Sequence, residues 1–515
     1  MRKTLVRGRW LISDPSLLPA DGVIANGAVV VDGDTIEHVG EYDALRSRAP
    51  DAQEIGSQSH IVMPGLVNAH DHGRGIAAYR VGMADDYLEP WILDFWCLHP
   101  LDVRLDMLYS AIRLLKSGVT TVLHSGYSRD WSQPEAENHA VLDGYLESGM
   151  RVAFAPFAMD QNTFVYQDDE TFLASLPQQL AETLSRTLDR MSPPQDYDWV
   201  ENTRALAARY SDNPRVRILC GPTGPEWCSP AMLRQSAELA EEANIGLHMH
   251  CLESPIQRDY FKRISGKTCV EYINDFGILG PKTSLAHCTW FGERDIELCA
   301  ETGTSACHNA SSNIRLRNGI APVTRMIECG VNVGIGMDSF SLNSDDDFLR
   351  EMRLVENLHH MPRGGIGHQP CLSAADVFRM ATTGGARAST FGDEIGALLP
   401  GRKADLVLLD RDALAEPYLD PSVSALDAIL RLGNASHVDT VMVGGEVCVA
   451  GGQYRRGDEA EIGAQLAELA KHDPPDHLAR LFEAAQAVRP YVAEFFERNY
   501  PPTEVEPYYT VNGSR

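Results

Sequence analysis

Short apolar runs alternate with amphipathic segments over the central part of the chain. Segments with helical periodicity, such as 231–243 and 294–301, separate the runs, and a long third connection at 158–215 is expected to lie over the barrel mouth as a loop. Continuous apolar strands are typical of parallel sheets with both faces buried. The alternation predicts an α/β fold, a (β/α)8 TIM barrel over residues 63–395. The predicted strands are 61–67, 119–123, 151–157, 216–220, 245–249, 283–286, 304–307 and 331–336.

The two ends of the chain have a different pattern. Residues 1–62 and 396–458 contain short runs of β-forming residues separated by turns, and residues 32–34 predict a tight hairpin turn before a return strand at 35–40. Neither end is large enough to build a good core by itself. The pattern therefore predicts one small discontinuous β-sandwich domain made from both ends, and residues 459–515 predict a helical C-terminal extension.

Composition narrows the class of protein. The 515 residues carry a net charge of -27, which repels phosphate backbones and anionic lipid headgroups, so we expect neither nucleic acid nor membrane as a partner. The 11 cysteines are scattered without a C-x-x-C pair, and no apolar run approaches the roughly 18 residues of a membrane span. The N-terminus has no apolar segment of signal-peptide length. These features predict a soluble cytoplasmic protein.

Histidines mark the ends of the predicted strands. At least one of the 17 histidines stands at five of the eight strand ends. Because a barrel places its active site at the carboxyl ends of its strands, this distribution points to one shared site. The residues at these ends are His70, His72, His124, His248, His250, His287 and His308, and Asp338 follows the last run.

A metal is the chemistry that such a set favours. His70 and His72 stand two apart, so a strand would point both side chains to the same side, although a chance pair in a turn has the same spacing. Imidazoles with a carboxylate suit a borderline divalent metal, which lowers the pKa of a bound water toward ~7. Glu253, three residues after His250, is the candidate proton shuttle, and His287 is the candidate group that polarises the substrate.

Several motifs in their order resemble the amidohydrolase superfamily. The resemblance covers roughly residues 5–450 and is to the branch that contains cytosine deaminase, adenosine-type and guanine-type deaminases and triazine hydrolases. No single motif is decisive, but the order and spacing together are specific. The motifs lie at 64–72, 118–121, 250–254, 286–288, 308–313, 334–338 and 396–407.

The resemblance implies a divalent metal held by three histidines and one aspartate. It implies Glu253 as the proton shuttle and His287 as the group that braces the substrate or the nucleophile. In the family the ligating carboxylate, here Asp338, also receives a proton from the attacking water. The implied ligands are His70, His72, His250 and Asp338.

The number of metals follows from a missing lysine. Two-metal relatives bridge their metals with a modified lysine at the end of the fourth strand, whereas this chain has Gly221-Pro222-Thr223 there and no lysine between Lys116 and Lys262. We therefore expect one metal per chain. The family binds zinc or iron(II), and the ligand set does not choose between them, with zinc as our first expectation.

Further residues near the predicted barrel mouth are candidates for contact with the substrate. Trp91 and Trp227 could stack on a flat ring, and Arg315 could meet an anionic group. His124 and His308 follow strands and could also contact the substrate. For each of them ordinary packing is the alternative, and we interpret His248, which has no implied role, as a core residue.

These observations predict hydrolytic deamination or amide cleavage of a small nitrogen heterocycle. The same water and metal also serve other C–X bonds, such as triazine dechlorination or cleavage of ureas, carbamates and hydantoin-like rings. A non-catalytic scaffold is a third alternative, but it would not need to keep both the ligands and Glu253. The resemblance also implies a homo-oligomer, a dimer or larger.

Overall fold

A computed structural model describes most of the chain. Two sheets and a layer of helices account for it, with one sheet at the centre of the helices and the other built from the two chain ends. The described residues are 3–19, 22–96, 101–127, 132–191, 196–338, 345–360, 372–474 and 476–501.

Seventeen strands form in these ranges. They are β1 (Thr4–Ile12), β2 (Val23–Ala25), β3 (Gly27–Asp32), β4 (Thr35–Glu41), β5 (Gln53–Pro64), β6 (Leu66–Asp71), β7 (Val119–Ser125), β8 (Arg151–Ala155), β9 (Val216–Cys220), β10 (Gly246–Cys251), β11 (Thr283–His287), β12 (Ser305–His308), β13 (Val333–Ile335), β14 (Leu406–Asp410), β15 (Val438–Val443), β16 (Glu446–Ala450) and β17 (Gln453–Tyr454).

Twenty α-helices form in the same ranges. They are α1 (Tyr42–Arg48), α2 (Leu88–Trp96), α3 (Val103–Lys116), α4 (Pro134–Ser148), α5 (Asp169–Ala174), α6 (Gln178–Met191), α7 (Trp199–Tyr210), α8 (Pro230–Glu242), α9 (Pro255–Ser265), α10 (Cys269–Asn274), α11 (Glu293–Thr302), α12 (Ala310–Arg315), α13 (Val323–Glu328), α14 (Phe348–Leu358), α15 (Ala374–Arg379), α16 (Gly385–Ala388), α17 (Arg411–Leu414), α18 (Ala425–Leu432), α19 (Glu459–Leu469) and α20 (Asp476–Asn499).

The central sheet is the predicted barrel. Its eight strands, β6 to β13, are parallel and follow one another in chain order, and a bridge between Asp71 and Asp338 joins the last strand to the first. Inward-facing side chains such as Val67, Leu123 and Leu219 fill its lower part. The prediction of a TIM barrel is confirmed, and its carboxyl-terminal edge carries the predicted histidines.

The predicted bounds of the first barrel strand were wrong. The apolar run 61–67 breaks at Gly65, so that β5 ends at Pro64 in the outer sheet and β6 begins in the barrel. A Cβ atom on Gly65 would lie 2.1 Å from the Oγ1 atom of Thr120. The chain therefore needs glycine at this point to pass from one sheet into the other.

The outer sheet joins the two chain ends. Strand β5 pairs in parallel with β1 and antiparallel with β14, with Val62 opposite Leu408. All nine strands belong to one continuous sheet, and the predicted hairpin turns at Gly33, which has a φ of +62°. Apolar residues are buried on both faces, with Val6 on one face and Leu5 on the other. The predicted additional domain from both chain ends is confirmed.

A buried ion pair ties the outer sheet to the barrel. The guanidinium of Arg151, in β8, donates from Nε and Nη2 to Asp405 over 2.5 and 3.0 Å. Both side chains are almost fully buried, and Asp405 Oδ1 also accepts from the backbone of Gly444 over 2.7 Å. The charges therefore compensate each other at the junction of the two sheets.

Two helical additions surround the barrel mouth. The long third connection was expected as a loop, but it contains α5, α6 and α7. The C-terminal extension contains α19 and α20, and α20 packs on α2 and α6 of the same chain. Residues 502–515 of the predicted extension lie outside the described residues. In the parts of the chain that the structure describes, no helix is both long and apolar enough to cross a membrane.

Candidate metal centre

Four potential ligands meet at the carboxyl-terminal edge of the barrel. One ligand atom each of His70, His250, His287 and Asp338 lies within 4.8 Å of the others, and all four side chains are buried. His72 joins them, because its Nε2 atom lies 3.2 Å from Nε2 of His250 and 3.3 Å from Oδ1 of Asp338. The structure thus brings the four predicted ligands together and adds His287 to the same cluster.

Backbone strain accompanies two of these residues. His287 has a φ of +73° and Asp338 a φ of +67°, in the left-handed region that non-glycine residues rarely adopt. Such conformations cost of order 1–3 kcal/mol and concentrate at functional sites. The strained conformations occur where the edge of the barrel turns the side chains of His287 and Asp338 inward.

Backbone carbonyls set the tautomers of two imidazoles. The Nδ1 atom of His72 lies 2.7 Å from the carbonyl oxygen of Ser125, and Nδ1 of His250 lies 2.6 Å from that of Thr223. A carbonyl oxygen can only accept, so each Nδ1 carries the proton and donates it. The Nε2 lone pairs are left to face the cluster, which is how metal-binding histidines are usually held.

His70 is held by a third histidine instead of a carbonyl. Its Nδ1 atom lies 2.7 Å from Nε2 of His248, whose own Nδ1 lies 2.7 Å from Oγ of Ser284. Nε2 of His70 is buried and has no hydrogen-bond partner in the structure. An orphaned buried nitrogen facing an aspartate and other imidazoles fits a metal ligand. His248, which we expected to be a core residue, therefore supports a ligand.

Burial keeps the imidazoles neutral. It lowers the pKa of His250 and His70 well below the usual histidine value and also lowers the pKa of His287. Neutral imidazole is the form that binds a metal. The donor set, its tautomers and its charge state all fit one divalent cation at this position.

The two central carboxyl groups are shifted in opposite directions. Burial by itself would raise the pKa of Asp338, but the imidazoles of His70 and His72, whose Nε2 atoms each lie 3.3 Å from Oδ1, outweigh it and hold this pKa well below its usual value. Burial, and after it the negative charge of Asp338, raises the pKa of Glu253 well above its usual value. Opposite shifts of this kind separate the roles of two carboxyl groups in one site.

The segment after β12, which includes α12, supports three of these side chains. Ser312 Oγ donates to Oδ2 of Asp338, and Asn318 Nδ2 donates to Oε1 of Glu253 over 2.9 Å. The amide oxygen of Asn313 lies 2.9 Å from Nδ1 of His287. The signal for these residues in the sequence is their position after a strand, within the motif at 308–313 or just beyond it.

Helix capping fixes the backbone of Glu253. Ser254 is the N-cap of α9, Pro255 follows at its first position, and Ser254 Oγ accepts from the backbone N–H of Gln257. The Gln257 side chain in turn accepts from the N–H of Glu253 over 2.5 Å. Glu253 Oε2 then lies 3.6 Å from Nε2 of His287.

A buried acidic cluster lies behind Glu253. Ser254 Oγ donates to Glu89, which also accepts from the hydroxyl of Tyr166 over 3.4 Å. Gln257 Nε2 donates to Oε1 of Glu226 over 2.6 Å. Burial raises the pKa of Glu89, and it raises the pKa of Glu226 to about 8. Sequence analysis missed both acids, because neither follows an apolar strand directly.

Three predicted substrate residues lie near the mouth. The ring of Trp227 is 6.5 Å from that of His250, centroid to centroid. Trp91 is buried on α2 in an apolar cluster with Leu316. Arg315 is paired with Asp85 over 2.7 Å, so its charge is already compensated. The ring of Trp227 thus lies beside the cluster.

The structure does not bring His124 and His308 into the cluster. Nδ1 of His124 lies 3.0 Å from the hydroxyl of Tyr145 on α4, and its ring packs on Phe154. His308 lies against His359 beyond the end of α14, with 3.5 Å between their Nε2 atoms. Both contact the helical layer, and these positions give no support to a substrate contact. A strand end can point to either side, and the apolar runs did not show which.

Comparison with known proteins agrees with this arrangement. Residues 61–448 match the sequence profile described as the amidohydrolase family. The chain belongs to this family. Within the outer sheet, residues 27–52 also match an imidazolonepropionase-like composite domain of bacteria.

Relatives of this amidohydrolase span nearly its whole length. The 5'-deoxyadenosine deaminase of Methanopyrus kandleri is 30% identical over 463 residues, which cover 87% of this chain and 95% of that protein. The 5-methylthioadenosine/S-adenosylhomocysteine deaminase of Moorella thermoacetica is 29% identical over a match that covers 89% of this chain and 98% of that protein. The zinc-bound adenosine deaminase of Xanthomonas campestris has a similar fold, with a TM-score of 0.70 and 23% identity. The match covers 91% of this chain and 98% of that one.

The family, its relatives and the site together define the chemistry at a coarse level. The protein is a hydrolase that acts on carbon–nitrogen bonds of small nitrogen heterocycles and uses a divalent metal. The prediction of a metal-dependent amidohydrolase with a small-molecule substrate is confirmed. This amidohydrolase keeps every predicted polar group of the reaction within one buried cluster.

Proposed function

We propose that this amidohydrolase removes the amino group from the purine ring of an adenosine derivative and releases ammonia. The convergence of neutral imidazoles with two carboxyl groups of opposite pKa shift carries the proposal. The two relatives above, which are named as deaminases of adenosine derivatives, support the choice of ring.

The metal supplies an acidified water at neutral pH when it is bound. Asp338, with its lowered pKa, is a carboxylate that can accept the first proton as the water oxygen bonds to the ring carbon. Glu253, with its raised pKa, can carry a proton to the departing nitrogen as the C–N bond breaks. His287, 3.6 Å from Glu253, faces the same space and can stabilise the charge that develops there.

We assign one metal, with zinc as the preferred ion. The proposed ligands are His70, His72, His250 and Asp338, with His287 beside them. The turn directly after β9, Gly221-Pro222-Thr223, contains no lysine that could bridge a second metal. Metal analysis of the purified protein after loading with zinc or iron(II) tests both the stoichiometry and the ion.

The test is ammonia release from adenosine, 5'-deoxyadenosine and 5'-methylthioadenosine. We expect turnover of at least one of them by the zinc-loaded enzyme. The variant Glu253→Gln should keep its metal and lose about 10²- to 10⁴-fold in kcat, because it removes the proton carrier. The matched control Glu241→Gln, an exposed site on α8, should behave as the wild type.

Either of two results would overturn the proposal. Near-normal turnover by Glu253→Gln would remove Glu253 from the mechanism. Turnover of a chlorotriazine or a hydantoin, with none of the three adenosines, would move the assignment to another C–X bond. His70→Ala should lose metal and activity together, and full metal content in that variant would refute the ligand assignment.

We also infer the wider organisation of the molecule. The proposed units are a β domain of residues 1–62 and 396–458, a barrel of residues 63–395 and an extension of residues 459–515. A cytoplasmic location agrees with nine free cysteines among the described residues. A homo-oligomer stays a prediction, which light scattering on the purified protein would check.

A further inference from the structure

Arg74 is a buried cation without an anionic partner among the residues that the structure describes. Its side chain is only 2% exposed, and it follows the proposed ligand His72 by two residues. Nε donates to the carbonyl of Ile76 over 3.4 Å and Nη1 to the hydroxyl of Tyr127 over 3.5 Å, both near the upper limit for a hydrogen bond. Nη2 is buried and has no hydrogen-bond partner.

Arg151 shows what a structural arginine looks like in this protein. It is buried to the same degree, but it makes two bonds to Asp405 and a third, of 2.9 Å, to the carbonyl of Pro214. Among the residues that the structure describes, no carboxylate lies within ion-pair distance of Arg74. Removing an unpaired charge from water costs several kcal/mol, which nothing in this part of the fold offsets.

Tyr127 links Arg74 to the metal centre. Its ring lies 6.1 Å from the ring of His72, centroid to centroid, while its hydroxyl accepts from Arg74. Tyr127 also lines a cavity of about 440 Å³ beside the barrel mouth, together with Phe157 and Met159. Open space therefore lies next to the tyrosine that Arg74 contacts.

We propose that Arg74 binds an oxyanion on the part of the substrate that is remote from the reacting ring. The inference rests on the proposed function, since it concerns the substrate of that same site. A guanidinium offers a planar fork of N–H donors, and it suits carboxylate and phosphate equally. The substrate class is then an adenosine derivative with an acidic group, and a neutral one would leave the charge of Arg74 unpaired.

The test uses three substrates that differ at the 5' position. These are 5'-methylthioadenosine, which is neutral, S-adenosylhomocysteine, which carries a carboxylate, and adenosine 5'-monophosphate. Wild type should prefer one of the acidic substrates, and the preferred one identifies the oxyanion. Arg74→Met should lose about 10- to 100-fold in kcat/KM on that substrate, as expected for a hydrogen bond to a charged group, and change less than threefold on the neutral one.

Two further variants keep the result interpretable. Arg74→Lys retains the charge and should recover part of the loss, whereas Arg325→Met removes an exposed arginine that pairs with Glu293 and should change nothing. Metal content and circular dichroism should be the same in all variants. An equal loss on all three substrates, or no loss on any, would show that Arg74 does not bind the substrate.

A binding measurement separates this inference from the proposed function. Inorganic phosphate should raise the melting temperature of the wild type and of Arg325→Met, but not that of Arg74→Met. If no adenosine is turned over while phosphate gives this pattern, the deaminase assignment fails and the anion site stands. Equal stabilisation of all the proteins by phosphate would overturn the anion site.

Discussion

We expect the contact between His248 and His70 to set a measurable part of the metal affinity. His248 is 1% exposed, and its Nε2 atom is the one polar group of the described residues that is placed to accept from Nδ1 of His70, over 2.7 Å. Replacing it with leucine, which is similar in size, leaves a buried N–H without an acceptor, at a cost of about 1–3 kcal/mol. Loss of such outer support typically weakens metal binding about 10- to 100-fold.

The assay is a zinc titration in competition with a chromogenic chelator. His248→Leu should bind zinc about 10- to 100-fold more weakly than the wild type, and activity should return when zinc is raised in proportion. His248→Gln should lose much less, because its amide oxygen can accept from His70. His139→Leu, which changes a half-buried histidine on α4 outside the barrel, is the control and should bind zinc normally.

The result that refutes this reasoning is a zinc affinity of His248→Leu within about twofold of the wild type. His70 would then be held well enough by its backbone and by Asp338. Equal weakening in His248→Leu and His248→Gln would also contradict it. The histidine would in that case act through its shape and packing, and its acceptor nitrogen would be unimportant.

Two other predictions concern the walls of the site. Arg489 on α20 pairs with Asp86, just before α2, and with Asp94 on α2. Arg489→Ala should loosen this wall and raise KM about fivefold, which corresponds to about 1 kcal/mol. Steady-state kinetics measure the change, and the metal content should stay the same. The pKa of Glu226 is about 8 in the folded state against an ordinary value of 4.5, so the unfolded state ionises first and the stability of the protein falls as pH rises from 4.5 to 8. Between pH 6 and pH 8, the free energy of unfolding measured with urea should fall by about 2 kcal/mol more in the wild type than in Glu226→Gln. Equal losses in the two proteins would contradict the raised pKa.

The clustering of the proposed metal ligands could be predicted because two regularities of the barrel fix their positions. Strand ends meet at one edge, and residues two apart share a face, so His70 and His72 followed from their spacing. His248 and His250 obey the same rule on β10, yet only His250 reaches the cluster. They lie in successive layers along the strand, and a sequence does not show how deep in the barrel each layer lies.

Other features could not be predicted, for a different reason. His124 and His308 are adjacent to strand ends, like the ligands, but they point to the helical layer. Successive side chains of a strand point alternately into the barrel and toward the helices. In a run that is apolar on both faces, the sequence does not show which residues face inward, so the direction of the last one is not predictable. The break at Gly65 was missed for a similar reason, since residues on both sides of it are apolar and buried.

The roles of the two central carboxyl groups come from their neighbours, which lie far away in the sequence. Asp338 accepts a hydrogen bond from Ser312 and faces the Nε2 atoms of His70 and His72, whereas Glu253 accepts a hydrogen bond from Asn318. Ser312, in α12, and Asn318, three residues after that helix, belong to one short segment after β12. A shift of that segment would change the donors of both carboxyl groups at once. We therefore expect substitutions in this segment to alter proton transfer at both groups together, even where they leave the imidazoles in place.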